Sequence, residues 1–306
     1  MAKLSDRILG ERLSGFVTKP NILDNSNFQI RQRGNNDGGS GAGGTYIDRW
    51  DTRSVTGSGG TTTISVPTLN SGGIGYDVLS VNVAGHTSYW TIQQFFKVER
   101  LKSGSDYTFT FKTNLIDNPL KLKAKMRGRD VSAGDWADLG EVDIEVDSYG
   151  TYSVTFLNVT SSLPLNADAD YIAMQLTGFQ SDGGSDFVLP DGTYRFEWFK
   201  LEEGNTSTGY EPTPYAVDEL ECMKWYQEVA GRWTGYPQFN SSTNFSRAAD
   251  VNFPVLMYST PAVTVNASSA WSPTLNVYKS MVRASGTPLS GSNGTWVDSY
   301  TASCEL

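Results

Sequence analysis

From residue 60 onward, apolar and polar positions alternate in short runs that are separated by turn residues. That pattern predicts β-strands. The first are TTTISVPTL (61–69), YDVLSVNVA (76–84), SYWTIQQFF (88–96), DYTFTFKTN (106–114) and LKLKAKMRG (120–128). EVDIEVD (141–147), TYSVTFLNV (151–159), YIAMQLTGF (171–179) and TYRFEWFKLEE (193–203) follow. No stretch between them has helical periodicity, which disfavours βαβ units. The expected fold is all-β: a jelly roll or β-sandwich, then one helix and a small β-rich C-terminal domain.

Two of these strands carry matched charge. Lys121, Lys123, Lys125, Arg127 and Arg129 alternate with Leu122, Ala124 and Met126. Glu141, Asp143, Glu145 and Asp147 alternate with Val142, Ile144 and Val146. Every second side chain shares a face, so one strand shows a basic face and the other an acidic one. They are expected to be antiparallel neighbours joined by cross-strand ion pairs. Calcium on the acidic face is the rival reading.

The helix is expected after EPTP (211–214). Asp218 and Glu221 have the spacing of a capping box. Val217, Leu220, Met223, Tyr226 and Val229 form a stripe at every third position, and Gly231 stops the helix. Cys222 is expected to be buried as a small apolar residue. The β unit that follows is too small for much core of its own. It should pack on the first domain or on copies of itself.

At the other end, charges at Asp6, Arg7, Glu11 and Arg12 break any apolar run in residues 1–20. No secretory signal is read there. The segment is expected to be a frayed tail or a docking segment, and both cysteines are expected to be reduced thiols.

Composition narrows the function. The 306 residues carry a net charge of -9, with one His and two Cys. His86 alone cannot build a His-rich metal centre, and no G-x-S-x-G motif accompanies it. Cys222 and Cys304 are too few for zinc fingers or a disulfide framework. A pI near 4.7 opposes binding to nucleic-acid phosphate. No apolar run approaches the ~20 residues of a membrane span, so no membrane insertion is expected. The Gly-rich loops at 34–45, 56–60 and 71–75 match no phosphate-binding loop. No enzyme activity and no cofactor are expected.

PNILDNSNFQIRQRG (20–34) followed by TYIDRW (45–50) resembles the opening of many tailed-phage tail-fibre proteins with a carbohydrate-binding-module-like jelly roll. TIQQFFKVERLKSGSDYTFTFK (91–112), FKLEEGNTSTGYEPTPYAVDELECMKWYQE (199–228) and VNFPVLMYSTPAVTV (251–265) resemble later segments of that family, in order. The linker departs from the family's apolar-Pro-Phe run, reading Thr208-Gly209-Tyr210 here. The resemblance implies a virion docking segment over 1–20, a jelly roll over 21–209, and a helix plus β tip over 210–306. It further implies a homotrimeric receptor-binding fibre of the virion. Residues 1–20 would meet a tail or adaptor protein, and the jelly roll or tip would bind a host-surface glycan. The rivals are a structural fibre, collar or adaptor that never touches the host, and a glycan depolymerase.

Lectin-like sites place aromatic faces against apolar sugar faces and orient the sugar with amides and carboxylates. Trp136 reads as part of a polar loop between the charged strands, beside Asp135 and Asp138. It is the first candidate platform; the plainer alternative is a ring folded back over the sandwich edge. Trp271 in SSAWSPT and Trp296 in NGTWVDS are the candidates in the tip, equally suited to a trimer interface. Trp50 is expected to be a packing anchor, and Trp90 and Trp198 core or interface residues.

Overall fold

The alternating runs form antiparallel strands whose apolar sides meet. The computed structural model describes residues 20–30, 44–47, 49–56, 60–71, 74–85, 87–130, 134–160, 170–179, 189–234, 236–239, 245–257, 260–267, 274–286 and 296–303. The chain divides into two units, one of Met1–Gln29, Asp37–Tyr46 and Trp50–Thr213, the other of Ile30–Asn36, Ile47–Arg49 and Pro214–Leu306.

In the first unit, a six-stranded sheet has the order β1 (Gly44–Ile47), β2 (Trp50–Thr56), β7 (Thr87–Lys97), β12 (Tyr171–Phe179), β9 (Leu120–Arg129), β10 (Trp136–Val146). A five-stranded sheet has the order β11 (Gly150–Val159), β8 (Ser105–Ile116), β13 (Gly192–Glu203), β6 (Leu79–Ala84), β3 (Thr61–Ser65). A hairpin pairs β4 (Thr68–Ser71) with β5 (Ile74–Asp77). From β7 to β13 the chain passes repeatedly between the two larger sheets, the winding of a jelly-roll sandwich.

Aromatic rings join the layers. Trp90 of β7 meets Phe196 of β13 at 5.9 Å, and Trp50 of β2 meets Phe199 of β13 at 5.1 Å. Phe109, Phe111, Leu122, Met126, Ile172 and Leu176 are buried with them. Each such side chain contributes about 1.5–3 kcal/mol on burial. The Trp90 ring lies so close to its cross-strand partner Gly178 that a Cβ there would sit 2.4 Å from it, so any larger residue would have to displace the ring.

Trp50 is the expected anchor. It is buried between Phe28 and Phe199, and its indole N–H donates to the Asn25 carbonyl at 2.9 Å. Gln94 fixes the same incoming chain. Its Oε1 accepts from the Asp24 N–H at 2.8 Å, and its Nε2 donates to the Asp24 carbonyl at 2.7 Å.

In the second unit, one sheet has the order β14 (Tyr226–Thr234), β20 (Trp296–Ser303), β17 (Ala262–Ala267). Another has the order β15 (Tyr236–Phe239), β16 (Phe245–Asn252), β19 (Met281–Gly286), β18 (Thr274–Val277). The helix α1 spans Tyr215–Met223. The expected helix over 217–230 is therefore corrected to one that stops seven residues earlier. Tyr226–Ala230 pairs instead with Tyr300–Ser303 and Ser299 across β20, and that tertiary pairing overrides local helical periodicity. The capping box is absent too. Pro214 holds the N-cap position without a side-chain bond, and Asp218 lies inside the helix. The buried side of α1 is Asp218 and Cys222, with Trp225 just beyond it under the Arg49 guanidinium at 3.8 Å. Cys222 is a buried free thiol, as its position suggested. Val217 and Leu220 of the expected stripe are 50% and 49% exposed.

Candidate functional site

The outward side of the six-stranded sheet carries the most elaborate polar and aromatic arrangement. Its charged flank is the expected one. β9 and β10 are antiparallel, with Glu145, Asp143, Glu141 and Asp138 opposite Lys121, Lys123, Lys125 and Arg127. A bulge at Leu139 keeps Asp138 in phase. Lys123 Nζ lies 3.3 Å from Glu141 and 3.7 Å from Asp143. Lys125 Nζ lies 2.9 Å from Asp138 and 3.2 Å from Glu141, and Arg127 Nε 3.1 Å from Asp138. The hydrogen bond from Lys125 holds both Asp138 and Glu141 below the usual carboxylate pKa, with Lys123 adding to the effect at Glu141. These carboxylates face lysine and arginine across the ladder, which is why the strand reads as structure rather than as a cation cage.

Inward from that flank, the register aligns Asp51, Gln93, Gln175 and Lys125 across β2, β7, β12 and β9. Gln93 Nε2 donates to Asp51 Oδ2 at 2.6 Å, Gln175 Nε2 donates to Gln93 Oε1, and Arg53 Nε donates to Asp51 Oδ2 at 3.1 Å. The next row joins the Thr91 and Thr177 hydroxyls at 2.9 Å. Further along, Lys97, Tyr171, Arg129 and Trp136 are directly opposite one another. Lys97 Nζ lies 4.2 Å over the Tyr171 ring. Arg127 and Arg129 lie 4.7 and 5.1 Å from the Trp136 ring centre, and Phe95 sits 6.2 Å away. Tyr89, 40% exposed, occupies the opposite end of β7. At ~3.4 Å per residue, the face extends ~27 Å along β7 from Tyr89 to Lys97.

Trp136 is thus the first residue of β10 and not a loop residue. Strand pairing with Arg129 draws it out of the loop and leaves it half-buried between cations. Asp135 is exposed, and the Asp138 carboxylate is already held by Lys125 and Arg127. Trp271 lies outside the described residues, as do His86 and residues 1–19. Trp296 opens β20, where only its backbone is described. Trp136 belongs to the first unit and Trp296 to the second. Gln93, Gln175, Asp51, Tyr89, Tyr171 and Arg129 were not read as site residues from the sequence. The available signal was an amide at an alternating position of an otherwise apolar strand, in TIQQFF and YIAMQLTGF.

A separate cavity of about 610 Å³ lies where the chain enters and leaves the sandwich, lined by Pro20, Ile22, Arg100, Asp106, Glu203 and Gly204. Among the described residues no aromatic lines it, and Arg100 is bound to Asp24 at 2.7 Å.

No family model matches the chain, and no curated protein matches it. Among solved structures, 14% identity and a TM-score of 0.34 relate 60% of this chain to 99% of a CBM4 domain. The CBM22-1 xylan-binding domain of Paenibacillus barcinonensis Xyn10C is 11% identical over 62% of this chain and 98% of its own, at a TM-score of 0.35. The enzymatically active domain of bacteriophage CBA120 tailspike protein 4 is 8% identical, at a TM-score of 0.35. That alignment covers 51% of this chain and only 19% of the tailspike domain. The jelly-roll assignment rests on the sheets described above, and no ligand is carried over from these neighbours.

Proposed function

We propose that this protein is a phage tail fibre that attaches to glycan on the host surface without cleaving it. The observation that carries the reading is the outward face of the six-stranded sheet. The part-buried Gln175 amide and the Thr91–Thr177 hydroxyl pair lie between an exposed Tyr89 and a half-buried Trp136, over a buried Gln93–Asp51 bond. Such groups orient sugar hydroxyls while aromatic faces cover apolar sugar faces. The virion assignment comes from the sequence resemblance over residues 20–265.

Three copies make a fibre in this reading. Tyr215, Val217 and Leu220 of α1 expose about half their surface in a single chain, and a threefold contact would cover them. Residues 1–20 join the virion. Each weak sugar contact is then multiplied by copies per fibre and fibres per virion.

One experiment tests the reading. The purified chain, weighed by light scattering, is added to host cells and to a phage infection. Expected are a mass of three chains, adsorption, blocked infection and intact host polysaccharide, with adsorption lost in Trp136→Ala/Tyr89→Ala. Failure to adsorb selects the structural fibre or adaptor, and polysaccharide turnover selects the depolymerase.

A further inference from the structure

On the basic face of β9, Arg129 alone has no acid opposite it in the ladder. Lys123, Lys125 and Arg127 each meet a carboxylate of β10. The register then places Trp136, not an acid, opposite Arg129. Among the described residues, no ion pair or hydrogen bond holds its guanidinium; its Nε is buried without a hydrogen-bond partner, and its one contact is the indole ring at 5.1 Å. Buried polar atoms are nearly always satisfied, and a lone cation is unusual in a chain with net charge -9.

Among the described residues no carboxylate makes an ion pair with it, and the buried Asp170 beside its register neighbour Tyr171 is engaged elsewhere. Asp138 is engaged by Lys125 and Arg127. Asp130 and Asp135 close the adjoining turn, the Asp130 N–H donating to the Asp135 carbonyl at 3.0 Å. On the other side the neighbour in register is Tyr171, with Lys97 over its ring. The end of the face near Trp136 therefore combines aromatic surface with positive charge, while the amide rows toward Tyr89 do not.

We infer that the glycan taken by this face is acidic, and that Arg129 is the residue that selects it. The inference rests on the glycan-binding reading above. The acidic group of one sugar meets the outer nitrogens of Arg129, a planar fork suited to carboxylate and to sulfate or phosphate alike. The same sugar's ring rests against the exposed side of Trp136. The uncharged remainder of the chain of sugars runs over Gln175 and the threonine pair toward Tyr89.

The test is an array of neutral hexose, uronate, sialylated, sulfated and phosphorylated oligosaccharides, probed with the full chain and four variants. The wild type is expected to bind acidic members at least tenfold more tightly than their neutral counterparts, with affinity falling as salt rises. Preference among the acidic classes identifies the anion. Arg129→Gln is expected to lose at least tenfold on the acidic members at an unchanged unfolding midpoint, and Arg129→Lys to lose less. Arg195→Gln is the control. Arg195 also has a buried Nε without a hydrogen-bond partner but belongs to β13 of the other sheet, so its loss is expected to leave binding unchanged. Equal binding of neutral and acidic members, or an unaffected Arg129→Gln, overturns this inference. If Trp136→Ala still abolishes that binding, the glycan reading survives. Absence of binding to every class in the array overturns both.

Discussion

The two sheets of the sandwich share one core, and both carry polar residues on their outward sides. The chain treats those two sides differently. Over the five-stranded sheet, residues 204–210 return as a strap. Lys200 and Glu202, 1% and 0% exposed, form an ion pair at 3.2 Å beneath it. Glu202 accepts from the Thr208 N–H at 2.8 Å and hydroxyl at 2.6 Å, while Lys200 Nζ donates to Thr208 Oγ1 at 2.6 Å and to the Gly209 carbonyl at 2.9 Å. Thr110 bonds Ser207, and Tyr210 stacks on Trp198 at 4.4 Å. Every group named there is answered by the chain itself. The six-stranded sheet has its own internal bonds through Asp51, Gln93 and Gln175, yet one cation and two aromatic rings end in open contacts. Polar residues on a sandwich face are thus framework where the chain folds back over them. On the six-stranded sheet Asp51, Gln93, Lys97 and Tyr171 are buried as well, and the accessible groups are Tyr89, Trp136, Gln175, Arg129 and the threonine pair, which are the candidates for a ligand.

The contrast can be broken most forcefully at the strap. Lys200→Met leaves Glu202 charged, buried and unpaired, which costs about 3–5 kcal/mol. Denaturant unfolding should show that loss, and Trp198 emission should shift as the strap lifts. Lys200→Met/Glu202→Leu removes both charges and should recover most of the stability. A loss below ~1 kcal/mol in the single variant would show that the strap does not depend on the pair. Next comes the six-stranded sheet. Gln93, 3% exposed, both donates to Asp51 and accepts from Gln175. Gln93→Leu strands both partners at a cost of about 1–3 kcal/mol, read by the same unfolding curve. The smaller loss follows because Asp51 keeps Arg53. Equal losses at the two sites would erase the distinction between the faces.

The two faces also differed in how much of them could be read from sequence. The β9–β10 flank was visible because its charges alternate with apolar residues in both strands, and alternation is a local property. Trp50 was visible as an anchor for a similar reason, being set among polar residues at a strand start. Lys200 and Glu202 were not. In FKLEE they look like solvated positions, and only a strap that returns from residues 204–210 buries them. Gln93 and Gln94 are indistinguishable in sequence. One points out to Asp51 and the other in to Asp24, according to the pleat and not the residue type. The end of α1 was hidden because the partner of Tyr226 is Ser303, at the far end of the chain. Trp136 was found as a candidate but misplaced, since its pairing with Arg129 decides whether it is loop or strand.

The smallest expected effect lies on the flank that was easiest to read. The carboxylates there are 49–65% exposed, so water and salt screen each pair to below about 1 kcal/mol. Their pH dependence has a definite sign. Asp138 and Glu141 are held below their ordinary pKa, chiefly by the Lys125 hydrogen bond. Folding therefore favours their charged forms, and the stabilisation is complete above the ordinary carboxylate range near pH 4. It is lost as pH falls through the lowered values. Glu141→Gln should cost less than about 1 kcal/mol at pH 7, and that cost should shrink below about pH 4 as the wild-type carboxyl takes up its own proton. It should also shrink with added salt. Unfolding curves at both pH values measure it. An undiminished cost in acid would mean that Glu141 acts through packing or hydrogen bonding rather than charge. The β9–β10 flank would then belong with the strapped face, as framework fixed by burial, and not with the accessible end at Trp136.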